Sequence, residues 1–149
     1  MQDTWGCKEE KMNKIYFETE AVMTEKKHLN DAGYDLKCKK EITINPREVA
    51  VIETGAYVEL LDGFYGKIEG RSSLNMQGII SVGGVIDADY RGEIKVGLIN
   101  TTDKPFILEA YSKIAQLIIL PCDIKAMKII GKPLNNTSRG INGFGSTGK

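Results

Sequence analysis

The sequence predicts an all-β domain, a distorted jelly roll or β-barrel, and three observations carry that prediction. Short apolar runs of strand length recur along the 149 residues, broken by Gly, Asp, Asn or Pro, at intervals of about ten. No window of about 12 residues or longer shows a convincing helical repeat of apolar side chains. The length is that of one domain, enough to bury a core, and there is no internal repeat.

Residues 1–13 are charged and patternless, and are expected to form a flexible extension. A β domain over 14–131 then opens with Ile15-Tyr16-Phe17. Ile42-Thr43-Ile44 alternates before Asn45-Pro46. The run from Val49 to Thr54 is expected to stop at Gly55. Tyr57-Val58-Glu59-Leu60 leads into Asp62-Gly63, a dipeptide typical of hairpin turns, with Phe64 to Glu69 beyond it. Ser72 to Gln77 is the place for one short helix. In 93–99, Ile94, Val96 and Leu98 fall on one face. Ile114 to Leu120 is mostly apolar and is stopped by Pro121. Met127-Lys128-Ile129-Ile130 is read as the last strand. Residues 132–149, polar and glycine-rich, are expected to be a flexible C-terminal arm.

Charge and composition exclude several classes. Lys+Arg and Asp+Glu number 20 each, so the net charge is zero. A general nucleic-acid binder would be strongly basic. No apolar run approaches the ~20 residues of a membrane span, and the first residues lack the apolar core of a secretory signal. Cys7, Cys38 and Cys122 are odd in number, far apart and without a C-x-x-C. They read as free thiols in a reducing interior, cytoplasm or nucleus, with Cys122 expected in the core. The sequons at Asn100, Asn135 and Asn136 carry no meaning without secretion. A single histidine, His28, argues against a zinc site and against a Ser-His-Asp triad, and no G-x-S-x-G accompanies it.

The tail from Arg139 to Lys149 combines two basic side chains, no acid, four glycines, one aromatic and two adjacent hydroxyls. Glycines let backbone N–H groups approach phosphate oxygens, while hydroxyls and cations complete the shell. Phe144 suits a flat partner such as a nucleobase. The tail also fits G-x-x-x-x-G-K and G-x-G-x-x-G, but both motifs need a helix after them and the sequence stops at Lys149.

Four further constellations bear chemistry. Gln116 interrupts an apolar strand, as a structural polar bridge or a ligand contact. Gly83-Gly84-Val85-Ile86-Asp87-Ala88-Asp89-Tyr90-Arg91-Gly92 is either a plain hairpin turn or an open backbone for a flat ring, with Asp87 and Tyr90 at its edge. Gly70-Arg71-Ser72-Ser73-Leu74 sets a forked cation beside two hydroxyls, for phosphate or as a helix cap. Asp31-Ala32-Gly33-Tyr34-Asp35-Leu36 offers two carboxylates, which meet a triphosphate only through a metal, or serve an Asx turn.

In this order and at these separations, the five segments resemble the motifs of the trimeric all-β deoxyuridine triphosphatases (dUTPases), over roughly residues 15–148. They are 31–36, 70–74, 84–92, Lys113-Ile114-Ala115-Gln116-Leu117-Ile118 and 139–148. The resemblance implies a dUTPase-like jelly roll, a homotrimer whose C-terminal arm reaches a neighbouring subunit, and Mg²⁺-assisted hydrolysis of dUTP to dUMP and pyrophosphate. It implies Asp87 as general base toward the water attacking the α-phosphorus, also holding the 3′-hydroxyl. Asp35 would hold Mg²⁺ through water. Arg71, Ser72 and Ser73 would meet phosphate oxygens, and Gln116 the α-phosphate side. Gly84 would present backbone groups to uracil, and Tyr90 would pack on the deoxyribose. Arg139, Ser146 and Thr147 would clamp the γ-phosphate, with Gly145 beside them and Phe144 over the base. The partners implied are dUTP and two further copies of the chain, with neither nucleic acid nor membrane. The source is open between cell, virus and phage. A non-catalytic dUTP-binding regulator and a dCTP deaminase-type homologue are the alternatives. The fourth motif usually opens Gly-x-Arg, whereas here it opens Tyr111-Ser112-Lys113. Lysine keeps the charge and loses the bidentate fork.

Overall fold

The fold is that of a computed structural model that describes residues 11–133 and 136–140. Its described elements are β1 (Lys14–Phe17), β2 (Tyr34–Lys37), β3 (Ile42–Ile44), β4 (Val49–Glu59), β5 (Phe64–Gly70), α1 (Ser72–Asn75), β6 (Ile79–Val82), β7 (Val85–Ile86), β8 (Ile94–Asn100), β9 (Phe106–Leu108) and β10 (Lys113–Pro121). One four-stranded sheet runs β1-β4-β8-β6, a second runs β2-β10-β5-β7, and β3 pairs with β9. Every pairing is antiparallel. The expected all-β domain is therefore what forms.

Alternation drives the packing. In β8, Ile94, Val96 and Leu98 are buried while Lys95 is exposed. In β10, Ile114, Ala115 and Leu117 are fully buried, because that strand lies between two others. Each isoleucine, leucine or valine so buried contributes about 1.5–3 kcal/mol by leaving water. Asn100 is buried but satisfied: its amide donates to the Ile44 and Lys104 carbonyls at 2.9 and 2.7 Å, and its oxygen accepts from Thr102. A sequon asparagine so enclosed is no glycan acceptor. No described helix is long and apolar enough to cross a membrane.

Four expectations change. β4 does not stop at Gly55 but runs through it, with a bulge between Glu53 and Ala56. Gly55 sits at φ +65°, which lets the strand absorb the extra residues without ending. Asp62-Gly63 does turn the chain, with the Phe64 N–H on the Leu61 carbonyl at 3.1 Å, but the strands it joins lie in different sheets. It is a crossing, not a hairpin. Met127 to Ile130 forms no strand and is exposed, since a strand needs a neighbour and no described segment of this chain offers one. Cys38 is buried as a core thiol should be, whereas Cys122 is exposed because β10 ends one residue before it. Cys7 lies outside the described residues.

Candidate active site

The second sheet gathers one group of the predicted residues. Asp35 on β2 stands opposite Gln116 on β10, which in turn stands opposite Glu69 on β5. Residues paired in this way share a face, so the Gln116 amide and the Asp35 carboxylate project together. Gln116 lies against the bare Cα of Gly33: a Cβ there would fall 2.9 Å from its Oε1. Only glycine allows that approach. Beyond a register shift after Lys113, that residue's ammonium reaches Asp35 Oδ2 at 2.7 Å. Arg71 follows β5, with Nε 3.6 Å from Asp35 Oδ1 and Nη1 donating to the Lys113 carbonyl at 3.1 Å. The carboxylate is about a quarter exposed, at 28%. Pairs that wet are worth under about 1 kcal/mol in stability, so their meaning is geometric.

Arg71 is also the residue before α1, yet it makes no side-chain cap. The capping reading of this segment fails, and the guanidinium is aimed at β2 and β10 instead. The helix is one turn, shorter than expected, and it leaves Ser72 and Ser73 exposed at its start, next to Arg71. Two cations meet at Asp35 beside the Gln116 amide, with two exposed hydroxyls next to Arg71, and these are group types that phosphate oxygens accept from.

The departures in the fourth motif now have local accounts. Tyr111 occupies φ +64°, a left-handed position where the family's usual glycine carries no steric cost. The turn is held by the Tyr111 N–H on the Cys38 carbonyl at 2.9 Å. Lys113 makes a single contact to one oxygen of Asp35, and Arg71 lies near the other.

A second group forms elsewhere. The chain leaves the first sheet at Val82, passes Gly83-Gly84, and enters the second as β7. The Gly84 carbonyl accepts from the Ile68 N–H at 3.0 Å. After Ile86 the chain turns, with the Tyr90 N–H on the Asp87 carbonyl at 3.1 Å, and returns to the first sheet as β8. The plain-hairpin reading therefore fails: the turn exists, but β7 and β8 are not paired. Between them lies an open cavity of about 210 Å³, lined by Val85, Ile86, Asp87, Tyr90, Glu93 and Lys95. Asp87 and Tyr90 are exposed on it. Behind β7, a cavity of about 250 Å³ is lined by Gly83, Gly84 and Ser81 among others. The Ser81 hydroxyl is buried and has no hydrogen-bond partner among the described residues. Sequence reasoning passed over Ser81, and Glu93 too; for Ser81, between Ile80 and Val82, a polar residue flanked by apolar ones was the available signal.

The register separates the two groups. Ile86 pairs with Gly66, so antiparallel continuation carries Asp87 back toward Tyr65, while Arg71 lies past the other end of β5. Six residues of strand span about 20 Å. Asp87 and Arg71 of one chain therefore stand at opposite ends of β5 and do not share one cavity. Arg139 is exposed in the described stretch 136–140. Phe144, Gly145, Ser146 and Thr147 lie outside the described residues.

Asp35 is the residue expected to reach Mg²⁺. Among the described residues no group of three or more His, Cys, Asp or Glu could hold a metal. A carboxylate paired on both oxygens still has lone pairs for a water. The donors fit an ion that arrives on a triphosphate with its own waters, touched by Asp35 through one of them.

A family model described as dUTPase matches residues 19–148. The chain is 42% identical over 122 residues to the deoxyuridine 5′-triphosphate nucleotidohydrolase of Cutibacterium acnes, covering 79% of this chain and 80% of that protein. It is 43% identical over 121 residues to the nucleotidohydrolase of the same name from a Hydrogenobaculum species, covering 78% and 83%. Among solved structures it is similar to the dUTPase of Staphylococcus bacteriophage 80alpha with dUPNHPP, at TM-score 0.83 and 25% identity, over 93% of this chain and 99% of that one.

Proposed function

This chain belongs to the dUTPase family, and from that premise we propose how it works. It is a hydrolase that cleaves dUTP to dUMP and pyrophosphate, lowering dUTP and supplying dUMP for thymidylate synthesis. The observation that carries the residue assignments is the pairing of two separate groups, a phosphate shell at Asp35, Arg71, Ser72, Ser73, Lys113 and Gln116, and a cavity bearing Asp87 and Tyr90.

Asp87 takes a proton from water as the water oxygen bonds to the α-phosphorus. The bond from that phosphorus to the α–β bridging oxygen breaks, and pyrophosphate leaves. Arg71 and Ser72 hold the oxygens around the breaking bond, and Gln116 orients the α-phosphate. Holding the groups in line supplies most of the acceleration. Asp35 would hold Mg²⁺ through water, and that ion supplies charge neutralisation on the triphosphate. The arm brings Arg139, Ser146 and Thr147 to the γ-phosphate and Phe144 over the base, excluding water.

Recognition works by refusal. Backbone groups near Gly84 match uracil's O4 and N3–H and mismatch cytosine, a difference worth on the order of 10⁴. The wall formed by β7 and the turn after it would clash with a 5-methyl group, and Tyr90 packed on the deoxyribose would leave no room for a 2′-hydroxyl.

The working form is a homotrimer with the arm of one subunit on another. Three features support it. The two groups stand too far apart in one chain. Val49, Val51, Ile80 and Val82 expose an apolar face on the first sheet, aligned through β8 by register. Ile124, Met127, Ile129 and Ile130 are exposed beyond β10. Apolar surface so concentrated is characteristic of interfaces.

With Mg²⁺, pyrophosphate release is expected from dUTP and not from dCTP, dTTP or UTP, with solvent oxygen-18 entering dUMP. Turnover of dCTP to a uridine product would sink the reading. Deleting residues 139–149 is expected to lower kcat/KM strongly, by about a hundredfold or more, while the thermal midpoint of the β domain hardly moves. A truncated chain with full activity would remove the arm from the mechanism.

A further inference from the structure

The wall of the Asp87 cavity is braced from behind by charges that the reaction itself does not use. The Tyr90 hydroxyl donates to the backbone carbonyl of Glu93 at 3.1 Å. Its ring lies over Gly92, where a Cβ would collide with the tyrosine hydroxyl. Tyr90 therefore takes its height above the cavity from the backbone at 92–93.

That backbone takes its position from the side chain of Glu93. The carboxylate is only 15% exposed and accepts from the Gly55 N–H at 2.8 Å and from Lys39 at 3.4 Å. Gly55 is the bulge residue of β4, and beside it the Thr54 hydroxyl donates to the Ile94 carbonyl at 2.6 Å. Lys39 is in turn gripped by Glu18 at 2.9 Å, with Glu53 at 4.0 Å, and the Tyr57 hydroxyl donates to Glu18 at 2.8 Å. Glu18, through its hydrogen bond, holds the lysine proton more tightly than usual. Two contacts, from the Gly55 N–H and from Lys39, thus hold a carboxylate that also lines the cavity, and Glu18 and Glu53 hold that lysine in turn.

We propose that Glu93 is a positioning residue for sugar discrimination: clamped to the Gly55 N–H and Lys39, it sets how closely Tyr90 stands over the sugar's C2′, and so how firmly ribonucleotides are refused. This rests on the reading above that Tyr90 packs on the deoxyribose. Glu93 touches no reacting atom. It acts through the backbone that carries Tyr90.

The test compares the inhibition constant of UTP, as competitor, with the KM for dUTP. Neither constant depends on how much of the preparation is folded, so loss of stability alone does not move their ratio. In Glu93→Ala the ratio is expected to fall by about tenfold or more, the scale of a positional error of about an ångström. Glu93→Gln keeps an acceptor for the Gly55 N–H and is expected to stay within about threefold of the parent. Lys39→Met, which loosens the brace from its far side, is expected to lower the ratio in the same direction, and it decides the matter if Glu93→Ala does not fold. An unchanged ratio in Glu93→Ala, or in Lys39→Met where that variant decides, overturns the proposal and leaves Glu93 a structural residue. A parent protein that fails to hydrolyse dUTP sinks the functional reading instead, a separate outcome.

Discussion

Asp87→Asn is expected to lower kcat for dUTP by about a thousandfold while nucleotide affinity changes only a few-fold. The substitution is nearly isosteric and the side chain is exposed on its cavity. No side-chain hydrogen bond of Asp87 appears among the described contacts, so the fold has little to lose. An amide still hydrogen-bonds a 3′-hydroxyl, but it takes no proton from water. The effect therefore falls on the chemical step and spares binding. Pyrophosphate release measures the first quantity, and titration with a non-hydrolysable dUTP analogue measures the second. A variant retaining a tenth of parental kcat would remove Asp87 as the base.

Mixing two dead chains is expected to restore activity. Arg71→Ala breaks the phosphate shell, and Asp87→Asn breaks the base. If every site draws its shell from one chain and its base from another, random co-assembly places both intact groups together in about one site in four. Refolding the two variants as an equimolar mixture should then reach about a quarter of parental turnover, while each variant alone stays inactive. Sedimentation should find the mixture, and the parent, as trimers. An inactive mixture, or a parent that is active as a monomer, would place both groups in one chain. That outcome contradicts the ~20 Å separation that the β5 register imposes.

Much of the architecture was legible because period-2 alternation leaves a direct trace. The runs at 42–44, 64–69, 94–99 and 114–120 fall on β3, β5, β8 and β10. β2, β6 and β9, each three or four residues long, were not singled out as strands. The Asp62-Gly63 error has another origin. A dipeptide encodes a local turn, but nothing in it says which sheet the next strand joins. Cys122 was misplaced because it closely follows an apolar run, although the strand ends at Pro121 and the cysteine lies beyond it.

The candidate site divides in the same way. Asp87, Tyr90, Arg71 and Gln116 stood out as residue types in motifs, and the order of those motifs carried the family. Ser81 and Glu93 stood in no motif as chemical groups. Their importance comes from burial and from partners far away in the chain, Glu93 with Gly55 and Lys39 above all.

What the sequence determined by itself was the class of fold and the set of chemical groups, because both depend on side-chain type and local spacing. Only the tertiary structure decided which groups stand together. Asp35 meets Lys113, Arg71 and Gln116 because β10 lies between β2 and β5, and Asp87 is carried to the opposite end of β5 by antiparallel pairing. Strand order and register are settled by long-range burial and hydrogen bonding, summed over residues distant in the chain, and no local stretch contains that sum.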